Sequence, residues 1–146
     1  MYDLEKLTTI IKDIEKDFAE LEKFGLHEDN LTDSKTLYAS SMALFGIISR
    51  TIDLAEEIIV KNEFGMPATY KNYFEVLNIQ GVIGKELSAD LQKLTNDRNF
   101  FAHEYFTMKR NYVLDVQKRI YAVKKFLEII KKIIRKEVKI KWITPP

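Results

Sequence analysis

Residues 3–25 read DLEKLTTIIKDIEKDFAELEKFG, and the apolar positions Leu4, Leu7, Ile11, Ile14, Phe18 and Leu21 fall 3, 4, 3, 4 and 3 apart. That rhythm lays one apolar stripe along one face of an α-helix. Gly25 supplies the stop, and Leu26 to Thr32 reads as a polar loop. The same rhythm recurs downstream. A second helix, capped by Asp33 or Ser34, continues to about Phe64 through Phe45, Ile48, Ile52, Ala55 and Ile59. Gly65-Met66-Pro67 breaks it, because proline cannot continue a helix. Thr69 starts a short helix ending near Asn78, and Gly81 and Gly84 bracket the next turn. A fourth helix spans roughly Lys85 to Phe106, and Thr107 to Arg110 connects it to a fifth. The fifth carries the stripe Val113, Val116, Ile120, Val123, Leu127, Ile130 and Ile134. The expected fold is all-α: an antiparallel up-and-down helical bundle of four long helices plus one short helix. One domain covers 1–138, and the basic stretch Lys139 to Pro146 is a frayed tail or an arm.

Composition agrees with that pattern. The chain has 146 residues, 46% hydrophobic and 31% charged, with five Gly, three Pro and no Cys. So little glycine and proline weighs against a protein of strands and turns. Without cysteine there is no disulfide, thiolate nucleophile or cysteine metal site, as suits a reducing compartment. Met1-Tyr2-Asp3-Leu4-Glu5-Lys6 is charged at once and does not read as a secretory signal. The longest uncharged run, Thr36 to Ser49, is fourteen residues. A membrane helix needs about 20. The reading is a soluble, cytoplasmic protein with no membrane partner. The net charge of +1 conceals an asymmetry: residues 109–146 hold twelve Lys and Arg against three acids, a net +9. The rest holds eleven against nineteen, a net −8. Such a division fits either a polyanion-binding surface or a lysine-studded helix packed beside a more acidic one.

The fourth helix breaks its own rule. Its stripe runs Leu87, Leu91, Leu94, then Arg98, then Phe101 and Tyr105. An arginine stays charged at any accessible pH, so on a core seam it must be paired, line a cleft or snorkel outward. Asn99 and His103 lie four apart, on one helical face beside it. Imidazole is the side chain suited to proton transfer near neutrality, and a neighbouring cation can hold a phosphodiester. With two histidines in the chain and no cysteine, a transition-metal site is not expected, and His27 reads as a loop residue. Trp142 covers the bundle end or stacks on a base; Tyr70, Tyr73 and Phe74 read as core or dimer interface. Gly46 inside the second helix costs about 1 kcal/mol against alanine, which points to a close approach there.

The stretch Asp97-Arg98-Asn99-Phe100-Phe101-Ala102-His103-Glu104-Tyr105 resembles the Arg-x4-His-x-Tyr signature of the HEPN superfamily. It is most similar to the HepT-like toxins of HEPN and minimal-nucleotidyltransferase pairs. The resemblance runs from about Ser34 to Ile130. It includes Ile52-Asp53-Leu54-Ala55, the segment Pro67 to Tyr73 and Gly81-Val82-Ile83. It implies a metal-independent, cofactor-free endoribonuclease acting as a homodimer, with two motifs lining one cleft. Arg98 would bind the scissile phosphate of RNA, and Asn99 would support the site. His103 would move protons as the ribose 2′-hydroxyl attacks, leaving a 2′,3′-cyclic phosphate. Tyr105 would be the residue that the cognate nucleotidyltransferase antitoxin modifies with AMP. Asp53 flanks the second stripe as either a partner for Arg98 or a solvated acid. Two other readings are a non-catalytic module that docks a nucleotidyltransferase or nucleotide, and a plain helical oligomer.

Overall fold

The computed structural model describes residues 2–25, 30–104 and 107–143, without the side chains of residues 30 and 139–143. Among them are six α-helices and no strand: α1 (Leu4–Phe24), α2 (Ser34–Lys61), α3 (Tyr70–Ile79), α4 (Lys85–His103), α5 (Arg110–Arg119) and α6 (Ala122–Ile143). A 3-10 turn at Asn30–Thr32 precedes α2. The Asp3 carboxylate accepts from the Lys6 amide to cap α1, and Gly25 closes that helix at φ 55. Asp33, one of the two residues expected to cap α2, accepts from the Thr36 amide and hydroxyl. Thr69 caps α3.

Helix α1 runs antiparallel to α2. Tyr2 meets Asn62, Lys6 meets Glu57, and Asp17 meets Arg50, so residue numbers rise on one side as they fall on the other. Helix α1 is antiparallel to α6 as well, through Glu22 with Lys124 at 3.8 Å and Glu15 with Lys131 at 3.5 Å. Those two pairs realise the packing of a basic helix beside an acidic one, and Lys124 also lies over the Phe18 ring. At Gly46 an added Cβ would sit 2.7 Å from Asp17 Oδ2, so the close approach there is to the Asp17–Arg50 ion pair. The expected stripes form the core: Leu7, Ile14, Ile48, Ile59, Leu91, Val116 and Ile130 are all buried.

Four boundaries differ from expectation. The long fifth helix is two, so the molecule has four long helices and two short ones. The Val123 amide bonds the Ile120 carbonyl and Lys124 bonds Tyr121, both i→i−3 contacts that divide the helix without interrupting the buried stripe. No glycine or proline marks this joint. Helix α2 stops at Lys61 rather than near Phe64, because Asn62 bonds back to the Ile58 carbonyl and Glu63 adopts φ 54. Helix α6 continues to Ile143, into the stretch read as a tail. Helix α4 ends at His103 rather than near Phe106, because Glu104 leaves the helical conformation at φ −122 and ψ 25. Phe106 itself lies outside the described residues. So do His27 and the side chain of Trp142.

Candidate functional site

Helices α2, α3 and α4 converge on the C-terminal half of α4. Leu91, Leu94 and Phe101 are buried as the stripe requires, and Arg98 is half-buried between them. Its guanidinium carbon lies 5.3 Å from the centroid of Phe45 on α2 and 5.2 Å from that of Tyr70, the first residue of α3. Both rings offer a negative face to the cation. Its Nη1 donates a long bond of 3.4 Å to Asn99 Oδ1. Arg98 pairs with no carboxylate among the described residues. The charge on the seam is stabilised by aromatic faces, which leaves its donors available.

Asn99 and His103 are exposed, one turn apart on α4. His103 is the last residue of the helix; the Glu104 amide closes the turn on the Phe100 carbonyl at 2.8 Å. The imidazole forms no hydrogen bond with another described residue. Asp53 is exposed on α2 and makes no ion pair with Arg98, so of its two readings the exposed acid describes its place. Crowding around its carboxylate raises its pKa, opposed by the fields of Lys6, Arg50 and Arg98. Arg98 therefore reaches Asp53 by field, not by contact. Tyr105 lies outside the described residues.

The structure adds residues to which the sequence reading gave no role. Asp97, immediately before Arg98, is 5% exposed. It accepts a 2.7 Å bond from the Tyr112 hydroxyl, and bonds of 3.0 and 2.8 Å from Arg119 Nε and Nη2. Tyr112 also packs its ring on Phe100 and Phe101, with centroids 4.4 and 5.6 Å away. Burial, then the bond to Asp97, pushes the Tyr112 hydroxyl well above the ordinary tyrosine range. A signal for Asp97 was present: it stands three after Leu94 and four before Phe101, as much on the seam as Arg98. Tyr73 and Phe74 are core, whereas Tyr70 is 38% exposed and belongs to the site.

Beside Arg98, an apolar groove of about 410 Å³ is lined by Tyr38, Met42, Phe45, Phe101, Ala102 and Met108. Tyr38 and Met42 are exposed on its rim. Among the described residues, no three His, Asp or Glu side chains converge to hold a metal ion. No described helix is long and apolar enough to cross a membrane.

A buried carboxylate, a freed arginine and an exposed histidine within seven residues are consistent with the family that the motif resembles. The profile of the ribonuclease HepT-like family matches residues 5–133, and the chain belongs to that family. Among curated proteins no sequence matches it. Its fold is shared with several solved structures. A toxin–antitoxin crystallised with AMP-PNP superposes with a TM-score of 0.81 at 21% identity, covering 88% of this chain and 98% of the other. A tri-AMPylated Shewanella oneidensis HEPN toxin, in complex with its MNT antitoxin, gives 0.80 at 22% identity over 90% and 99%. The cytosolic protein of unknown function YutE from Bacillus subtilis gives 0.80 at 18%, over 94% and 95%.

Proposed function

We propose that this chain is the toxin of a toxin–antitoxin pair, a homodimeric endoribonuclease that works without a metal ion. The observation that carries the reading is Arg98: an arginine on a core seam, held by ring faces and left with free donors, on the helix that ends in the exposed His103. Such a guanidinium can grip two oxygens of the scissile phosphate. The ribose 2′-oxygen loses its proton and attacks phosphorus, and the 5′-oxygen of the next nucleotide leaves and takes up a proton. The products are a 2′,3′-cyclic phosphate and a 5′-hydroxyl. His103 serves the proton transfers, Asn99 steadies the Arg98 fork, and Asp53 contributes field rather than contact. The substrate supplies its own nucleophile, so no activated water is required.

The likeness to toxins solved with nucleotidyltransferase antitoxins supports a partner of that kind, with Tyr105 as the AMP acceptor. Tyr105 follows Arg98 by seven residues in the sequence. An AMP there offers Arg98 a competing phosphate. The deciding experiment incubates the purified protein with end-labelled RNA in excess EDTA. Cleavage to products with cyclic phosphate ends is expected; a protein active only with added divalent metal, or inert toward RNA, overturns the reading.

A further inference from the structure

A buried carboxylate beside a phosphate-binding arginine weakens the positive potential that the arginine offers its ligand. Asp97 is such a group, next in sequence to Arg98 and almost wholly buried. Its two oxygens are taken by α5: the Arg119 guanidinium donates to both, and the Tyr112 hydroxyl adds a third bond. Consecutive side chains diverge by about 100° around a helix. Asp97 thus faces α5 while Arg98 lies over Phe45 and Tyr70 on the other elements. Two arginines serve the two neighbouring positions, and the arrangement leaves one positive charge uncommitted.

We propose that Arg119 is a positioning residue for the Arg98 site: it neutralises Asp97, so that Arg98 keeps its charge for RNA phosphate. The inference rests on the ribonuclease reading above. Removing Arg119 leaves an uncompensated carboxylate beside Arg98, and neutralising Asp97 in the same molecule removes the cause. A merely structural tie would lower binding in step with Tm, whereas a charge effect follows the presence of a cation at position 119 and not the melting temperature.

The test compares wild type with Arg119→Gln, Asp97→Asn, the double variant, Arg119→Lys and Arg98→Ala. Each is measured for KM and kcat on a labelled RNA, and for binding of the 2′-deoxy oligonucleotide of the same sequence. Thermal melting follows the fold. Arg119→Gln should raise KM and the oligonucleotide Kd about tenfold. Asp97→Asn should stay within about threefold of wild type, and the double variant should return to that range. Arg119→Lys keeps the charge without the fork; it should bind normally even with a lowered Tm, and it serves where Arg119→Gln does not fold. Arg119→Gln binding as wild type, a double variant no better than Arg119→Gln, or Arg119→Lys losing binding in step with Tm overturns the proposal. Cleavage and binding indifferent to Arg98→Ala overturn the ribonuclease reading instead, whatever the Arg119 variants do.

Discussion

Arg98 is accommodated on a core seam because two ring faces replace part of the water it loses, and among the described residues no carboxylate pairs with it. This arrangement separates the roles of the motif residues. Arg98→Lys retains a cation but loses the planar fork and its stacking on Phe45 and Tyr70. RNA cleavage should therefore fail in Arg98→Lys while the circular dichroism spectrum stays native; a lysine variant with wild-type rates would show that a point charge suffices. His103 is exposed at a helix end, so His103→Ala should leave Tm nearly unchanged. Cleavage should drop by roughly 100- to 10,000-fold, the ordinary contribution of general acid–base catalysis. Undiminished activity in His103→Ala would remove the imidazole from the mechanism. Neither substitution opens a cavity in the core, so loss of folding cannot account for the expected losses.

Helix α5 acts as a clamp on the C-terminal end of α4. Tyr112 holds that turn by its hydroxyl on Asp97 and its ring on Phe100 and Phe101. Its pKa is raised first by burial and then by the bond to the Asp97 carboxylate. The folded protein thus holds the phenolic proton more tightly than the unfolded chain does. The associated stability is whole below the ordinary tyrosine pKa near ~10 and is lost as pH rises through and beyond it. Tyr112→Phe removes the titration while keeping the ring. Its chemical-denaturation midpoint should accordingly fall less steeply than that of wild type between pH 9.5 and 11, roughly the span around the tyrosine value. Parallel curves for the two proteins would assign the alkaline sensitivity to other groups. At neutral pH the variant leaves one Asp97 acceptor site unfilled, a cost of about 1 kcal/mol.

A single copy of the chain brings one Arg98 and one His103 to the site, and an isologous dimer would double both. The groove beside Arg98 supplies apolar surface for such a contact, with Met42 69% exposed and Tyr38 53% exposed on its rim. We expect a dimer in light scattering at micromolar concentration and a shift toward monomer in Met42→Glu, which places charge in that surface. A wild-type monomer, or a dimer indifferent to Met42→Glu, would place the contact elsewhere or nowhere. The proposed nucleotidyltransferase partner can be tested by intact mass after co-expression with a candidate gene. Mass should rise in AMP steps and the rise should vanish in Tyr105→Phe; a gain that persists in that variant would put the acceptor on another residue.

The helical class and most of the core follow from local spacing, since a 3–4 repeat of apolar residues has one way to be buried. Leu7, Ile14, Leu91 and Val116 were readable for that reason, as were the Asp33 cap, the Gly25 stop and the close approach at Gly46. The misfit of Arg98 was readable too, because a charge in an apolar register needs no neighbour to be noticed. The joint between α5 and α6 was not: its stripe continues through it, and only the change of hydrogen-bond register marks it. Nor was it legible that Asp97 would go to Arg119 and Arg98 to Phe45 and Tyr70. Those partners stand 22, 53 and 28 residues away, and side chains that distant meet only when the helices pack. Sequence by itself determined which residues had to be inside and which one broke the rule. The tertiary structure decided which charge was neutralised and which was left free, because that depends on which helix faces each side of α4.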